Sequence, residues 1–267
     1  MILKGWLQEA EKKIYSLDAE LIACYALGFE DRVELVLHGE DDFDMKKADE
    51  LVEKRAAGVP LAYLTGKKEF FGRDFKVDKN VLIPRPETED IILSVLSIVE
   101  TDQLKNLTIL DVGTGSGCIP ITLKLELDAI GVDAKIFASD ISKPALKIAS
   151  ENAEALNATV SFVYSDLLAK FKTLPDILIA NLPYVDKSWD WTSDSLKFEP
   201  ALALYADDKG LKIIKRLLDE INDRKDKKRH FLLLEADPSQ HQDIIDYAKK
   251  RGINLILKNN FILVFHT

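Results

Sequence analysis

The stretch LTILDVGTGSGC, residues 107–118, decides the fold. Leu107 to Val112 form an apolar run of strand length that ends at Gly113, Gly115 and Gly117, and CIPITLKLEL (118–127) continues from there at helical spacing. Glycines at such a strand-to-helix turn let the backbone bend tightly and approach a ligand, while the helix N-terminus offers free N–H groups. The spacing is GxGxG, and position 118 is Cys where a GxGxxG dinucleotide fingerprint needs Gly. Alone, such a turn is compatible with a purely structural role.

The same rhythm continues downstream. AKIFASD (134–140) reads as the next strand and KPALKIASENAEAL (143–156) as its helix. VSFVYSD (160–166) and DILIANLPY (176–184) are further strands, followed by the helix LKIIKRLLDEIND, the strand FLLLEAD and the helix HQDIIDYAKKRG. Strands alternating with helices imply a mostly parallel sheet covered on both faces. INLILKNNFILVFHT (253–267) predicts a closing hairpin that turns at KNN, and the charged run 223–230 a solvated helix end and loop. An antiparallel hairpin ending a parallel sheet resembles the S-adenosylmethionine-dependent methyltransferases more than the usual dinucleotide-binding fold. The alternation predicts an α/β fold, and the resemblance implies a seven-stranded Rossmann-like sheet of the class I methyltransferase kind.

Four strand tips point at one crevice, where open α/β sheets bind ligands. The first carries Gly113, Thr114, Gly115, Ser116 and Gly117. The second ends at Asp140, whose carboxylate can accept both ribose hydroxyls of an adenosine cofactor or can simply cap the next helix. The third ends at Asp166 and Leu167, an acid and an apolar side chain suited to bracketing an adenine ring, and the fourth at Asn181.

Asn181-Leu182-Pro183-Tyr184 resembles the Asn-Pro-Pro-Tyr motif of methyltransferases that act on planar NH2 groups. An amide nitrogen is a poor nucleophile because its lone pair is delocalised into the carbonyl. A side-chain oxygen from Asn181 and a backbone carbonyl just beyond it can accept both N–H bonds, orient the group and stabilise the positive charge that develops on nitrogen. Tyr184 is expected to stack on the planar group. No strong base is required, since the nitrogen becomes acidic only once methylated.

Upstream, residues 1–65 read as short helices. Ile2, Leu3, Trp6, Leu7, Ala10 and Ile14 share one face; Asp18 is a candidate N-cap before AELIACYAL; DRVELVLHG, DMKKADELVEKRAAG and PLAYL follow the same grammar. The whole chain has 267 residues, 47% of them hydrophobic, and a formal charge of −9. No apolar run approaches the roughly 18–20 residues of a membrane helix, and Glu9 and Glu11 interrupt any signal-peptide core, so the expected setting is the cytoplasm with no membrane partner. Two cysteines and four scattered histidines give no metal-ligand spacing. Nucleic-acid binding usually needs a basic surface, yet residues 1–75 carry 11 basic and 16 acidic side chains, so no direct nucleic-acid contact is expected.

A second group of segments narrows the choice. Gly58-Val-Pro-Leu-Ala-Tyr-Leu-Thr-Gly66, Glu69-Phe-Phe-Gly72, Phe75-Lys-Val77 and Val81-Leu-Ile-Pro-Arg-Pro-Glu-Thr-Glu89 resemble the linker of the peptide-chain release factor glutamine N5-methyltransferases of the PrmC/HemK type. Glu199-Pro-Ala-Leu-Ala-Leu204 and Gly210-Leu211 match as well, so the resemblance covers essentially the whole chain. It implies a helical substrate-docking domain over 1–65, a β-hairpin linker over 66–84 and a catalytic domain over 85–267, working as a monomer. The implied cofactor is S-adenosyl-L-methionine, and the implied partner a class I release factor whose GGQ glutamine is methylated. Carried over residue by residue, Gly113 to Gly117, Asp140, Leu167 and Asn181 are expected at the cofactor, with Asp166 added by its strand-tip position. Asn181, Leu182, Pro183 and Tyr184 are expected at the glutamine, with Asn181, Pro183 and Tyr184 nearest the chemistry. Independently of any family, the two prolines of Ile83-Pro84-Arg85-Pro86 fix φ at two of four positions and suit a rigid connector.

Three departures stand out. Leu182 replaces the first proline of the motif, no glycine follows LLLE, and the Gly- and Arg-containing segment usual between the last two strands is absent. Two other readings share parts of the pattern: an adenine-N6 methyltransferase of DNA or RNA, and a weakly catalytic module that docks release factors or ribosomes.

Overall fold

A computed structural model describes residues 1–189, 194–224, 226 and 228–267. By contacts the chain divides into two compact units, Met1–Lys67 with Thr192–Phe198, and Lys68–Trp191 with Glu199–Thr267.

The first unit holds α1 (Leu3–Ala10), α2 (Ser16–Leu27), α3 (Val33–Leu37), α4 (Lys46–Ala56) and α5 (Leu61–Thr65). Leu3, Trp6, Ala19, Ile22, Ala48 and Val52 meet in its core. The Trp6 indole donates to Asp49 at 2.7 Å, so the amphipathic ring is satisfied at both ends. Asp18 is not the N-cap of α2: the helix starts at Ser16, and Asp18 lies in its first turn, ion-paired with Arg55 at 2.7 Å.

Apart from its first residue, the hairpin of β1 (Lys67–Phe70) and β2 (Arg73–Lys76) lies in the second unit, within the stretch expected as a linker. Phe70 and Phe75 are fully buried in the same core as Ile91 and Ile109. The 3-10 turn Pro86–Thr88 leads into α6 (Glu89–Thr101). The sheet follows with β3 (Leu107–Val112), β4 (Ala134–Asp140), β5 (Ser161–Tyr164), β6 (Ile177–Ala180), β7 (Phe231–Glu235), β8 (Asn254–Asn259) and β9 (Ile262–His266), in spatial order β5-β4-β3-β6-β7-β9-β8. β9 alone runs antiparallel within the main body, between β7 and the edge strand β8. The sheet has the seven strands and the closing hairpin expected from the sequence.

Alternate residues along each strand enter two separate cores. Ile109, Ile136, Ile179, Leu233 and Val264 pack with α6 and with α7 (Cys118–Ala129). Leu110, Leu178, Leu232, Leu234 and Phe265 pack with α10 (Lys212–Asn222) and α11 (His241–Lys249). Helices on both faces explain why β6 and β7 are continuously apolar rather than alternating. Among the described residues no helix is long and apolar enough to cross a membrane. The charged run 223–230 is less solvated than expected: Arg224 donates to the backbone carbonyls of Phe171 and Glu220, and His230 is buried on Pro175. Residues 225 and 227 of that run lie outside the described residues.

Candidate active site

The chain steps from β3 outward to β4 and β5, then returns to place β6 on the other side of β3. That switch opens a crevice at the carboxyl ends of β3 and β6, the general ligand position of such sheets. A cavity of about 320 Å³ lies there, within the second unit, in the size range of small-molecule sites.

Of the residues singled out from sequence, Gly113, Thr114, Gly115, Ser116, Asp140, Asp166, Leu167, Asn181, Leu182 and Pro183 line this cavity. Gly117 and Tyr184 do not. Gly117 sits at φ +80°, and a Cβ there would meet Ile121 at 2.9 Å and Ala149 at 3.0 Å, so its job is to let the helices close on the loop. A Cβ on Gly113 (φ +78°) would likewise meet Leu182 Cδ2 at 3.0 Å. Gly115, also at positive φ, has open space beside it.

Asp140 carries the loop rather than the helix cap. Its Oδ2 accepts Gly115 N–H at 2.9 Å and its Oδ1 accepts Ser142 N–H at 2.8 Å. Ser142 is the N-cap of α8 (Lys143–Ala155), accepting Ala145 N–H. Burial raises the Asp140 carboxyl, and the N–H groups of Ser142 and Gly115 pull it back down. Each oxygen keeps a second lone pair for a ligand. Beneath the loop, neither oxygen of Asp111 nor Thr114 Oγ1 has a hydrogen-bond partner among the described residues. Burial lifts the Asp111 carboxyl to about 7, and the neighbouring Asp140 charge adds to the rise. Asp166 is half exposed and paired with Arg216 at 2.5 Å, a partner the sequence did not suggest.

The loop after β6 is held from several sides. Leu182 is buried, filling the space against Gly113 that a proline would leave partly empty. The backbone carbonyl of Tyr184 accepts Gln240 Nε2 at 2.7 Å, and the same nitrogen reaches Lys209 O at 2.8 Å. Gly210 passes so close that a Cβ would lie 1.9 Å from Tyr184 O. The Tyr184 hydroxyl points at Glu235, 3.4 Å away, and its ring packs against the core, so the structure does not bring Tyr184 to the cavity to stack on a substrate. The cause is the pull of a buried carboxylate beneath the loop. Asn181 donates from Nδ2 to Thr88 Oγ1 at 3.3 Å.

Arg85 and Glu199, 114 residues apart, form an ion pair at 2.6 Å, and Glu199 also accepts Ile83 N–H at 3.1 Å. The IPRP connector and the EPALAL segment are thereby clipped together beside the cavity, which Arg85 and Pro200 both line. Glu235, Gln240 and Gly210 were not singled out by role in the sequence. Gly210 carried a signal only through the family resemblance, and Glu235 because FLLLE is one more strand tip, to which the logic of the other four tips extends.

Residues 4–66 match the PrmC N-terminal domain, and residues 91–194 match the methyltransferase small domain. The chain is 37% identical over 242 residues to a release factor glutamine methyltransferase of Neisseria gonorrhoeae, spanning 88% of this chain and 84% of that protein. The corresponding enzyme of Koribacter versatilis is 39% identical over 222 residues, with 80% and 77% covered, and that of Bacillus subtilis 41% over 217 residues, with 76% and 72% covered. Among solved structures, a methyltransferase from Pyrococcus furiosus aligns at a TM-score of 0.51 and 18% identity, covering 82% of this chain and 96% of that one, a likeness of fold alone. With both of its regions matched and most of each bacterial relative spanned, the chain belongs to the release factor glutamine methyltransferase family.

Proposed function

We propose that the protein transfers a methyl group from S-adenosylmethionine to the side-chain amide nitrogen of the GGQ glutamine of class I release factors. The observation that carries this reading is that Asn181 and Pro183 border the same cavity as the glycine loop and Asp140, so an oriented amide and a methyl donor fit one site.

When bound, S-adenosylmethionine supplies an electrophilic methyl group on a sulfonium centre. The residues present suit it. Asp140 offers acceptor capacity for ribose hydroxyls, Leu167 an apolar wall for the adenine, and the partnerless Thr114 Oγ1 a further polar atom at the cavity wall. On the substrate side, Asn181 Oδ1 and the carbonyl of Leu182 or Pro183 accept the two amide N–H bonds and hold the nitrogen's face toward the methyl. With the cofactor bound, the nitrogen held by Asn181 Oδ1 and the loop carbonyl would take the methyl group, the cofactor would leave as the neutral thioether, and the surplus proton would pass to water. The contribution is geometric and electrostatic, since held geometry replaces the entropy of encounter and fixed acceptors meet charge where it develops.

The helical unit, residues 1–65, docks the protein substrate while residues 85–267 hold the chemistry, and the protein acts in the cytoplasm as a monomer. The separate helical core of these residues, none of which lines the cavity, supports the docking role. A fragment beginning near Lys67 is expected to bind cofactor yet methylate intact release factor poorly; full activity of that fragment contradicts docking. Light scattering of the full chain tests the monomer. For the activity itself, the protein is incubated with tritiated S-adenosylmethionine and, separately, class I release factors, a ribosomal-protein mixture and duplex DNA. Label in the release factor alone is expected. Label in DNA supports the adenine-N6 reading, and none anywhere supports the docking-module reading.

A further inference from the structure

Resting on the methyl-transfer reading above, we propose that Glu235 is a positioning residue: as an acceptor-only carboxylate behind Asn181, it sets which end of the Asn181 amide faces the substrate. A carboxamide is nearly symmetric in shape, and only its Oδ1 end can accept from a substrate NH2; presenting Nδ2 would set donor against donor. The choice must therefore be made by the groups behind the amide.

Those groups form a chain. β6 and β7 are parallel and in register, with Ala180 opposite Leu234, so the next residues, Asn181 and Glu235, emerge side by side. Asn181 Nδ2 donates to Thr88 Oγ1 at 3.3 Å, and Thr88 is 2% exposed at the end of the turn Pro86–Thr88. A threonine hydroxyl can donate or accept, so Thr88 by itself does not fix the amide. Thr88 in turn faces Glu235, which is also 2% exposed and receives the Tyr184 hydroxyl on Oε1 at 3.4 Å. A carboxylate that only accepts draws the Thr88 proton to itself and leaves Thr88 Oγ1 as acceptor for Asn181 Nδ2. The donors are then directed toward the carboxylate: Asn181 donates to Thr88, Tyr184 donates to Glu235, and Thr88 and Asn181 both act on the Glu235 charge. Glu235 Oε2 has no close hydrogen-bond partner among the described residues, so this carboxylate has room to accept.

Protonation reverses the logic. A neutral Glu235 donates to Thr88, Thr88 donates to Asn181 Oδ1, and the amide turns its Nδ2 into the cavity. Burial raises the Glu235 carboxyl to about 7; Thr88, Asn181 and Tyr184 act against that rise and Glu87 adds to it. Cys118, from the first turn of α7, feels Glu235 and Asp111, while Arg85 and Asp237 bear on Tyr184. Since the charged form of Glu235 is the productive one, turnover rises with pH through about 7.

The test compares native protein, Glu235→Gln, Glu235→Asp, Thr88→Val and Thr88→Ser for methylation of intact release factor between pH 5.5 and 8.5. Cofactor affinity by calorimetry and thermal melts are followed in parallel. Glu235→Gln is expected to lower kcat at pH 8 about tenfold, an order below the roughly 10²–10³ lost when a direct contact at a reacting centre is removed. KM and cofactor affinity should stay within twofold, and the acid limb should vanish. Glu235→Asp should keep an acid limb, Thr88→Val should repeat the loss of kcat, and Thr88→Ser should restore it. The pair at Thr88 decides the matter even if the Gln variant folds poorly. Glu235→Gln with native kcat and an unchanged acid limb, or Thr88→Val as active as Thr88→Ser, overturns the inference. A native chain that methylates no glutamine overturns the parent reading and this inference with it.

Discussion

Gly210→Ala is a small change with a large expected consequence at a loop it does not belong to. The residue sits at φ +82°, and its missing Cβ would stand 1.9 Å from Tyr184 O, 2.7 Å from Tyr184 C and 2.5 Å from Gln240 Nε2. Positive φ costs a non-glycine residue about 1–2 kcal/mol. The carbonyl cannot stay: contacts below 3.0 Å are not tolerated, so Tyr184 must retreat by at least about 1 Å. That breaks its bond from Gln240, leaving buried polar atoms unpaired at a cost of about 1–3 kcal/mol. Together these give about 2–5 kcal/mol of lost stability. A displacement of this size three residues from Asn181 is expected to cut turnover about 10²-fold, because the amide and the carbonyls after it move with the loop. Cofactor affinity should hold, since the glycine loop and Asp140 belong to other elements. Gly131→Ala is the control: φ is +74° there too, but nothing lies within 4 Å of the point its Cβ would occupy. It should lose about 1–2 kcal/mol and keep its turnover. The assay is tritiated methyl transfer to intact release factor, with thermal melts and cofactor calorimetry alongside. If Gly210→Ala turns over as fast as Gly131→Ala, the loop is not held in the way described.

Asn181→Ala should lower turnover about 10²–10³-fold while leaving the fold and most cofactor affinity intact; if cofactor binding collapses instead, Asn181 belongs chiefly to the cofactor pocket. Asp140→Ala removes the acceptor of Gly115 and Ser142 N–H and should weaken cofactor binding by about 1.5–3 kcal/mol; unchanged affinity by calorimetry contradicts its assignment. From sequence alone Leu182→Pro reads as neutral or mildly activating, but Leu182 is buried against Gly113. The proline is therefore expected to lose about 1–3 kcal/mol from the smaller, differently shaped side chain while keeping turnover, and a rise in melting temperature would show that loop rigidity outweighs packing.

The parts of the fold legible in the sequence are those set by local pattern. The fully buried strands β6 and β7 announced themselves as unbroken apolar runs, and the glycine loop and the KNN turn by residue types that few other conformations favour. Asp18 misled because an acidic residue two places inside a helix looks like a cap when the true start, Ser16, is also a helix-starting residue. At the site, residues at strand tips converged on one cavity because parallel strands in register bring their ends together. Contacts made across the chain were not legible: Gln240 reaches Tyr184 over 56 residues and Arg85 reaches Glu199 over 114. Tyr184 shows the same limit, since its motif suggested a substrate face and only the tertiary position of Glu235 reveals where its hydroxyl goes.

Glutamine methylation is best tested by mapping the product. A class I release factor is incubated with the protein and S-adenosylmethionine, digested, and its GGQ peptide fragmented by tandem mass spectrometry. A single added methyl group is expected on the side-chain nitrogen of that glutamine, absent when Asn181→Ala replaces the native chain. A methyl group on any other residue, or an unmodified glutamine from a protein that binds the cofactor, would contradict it.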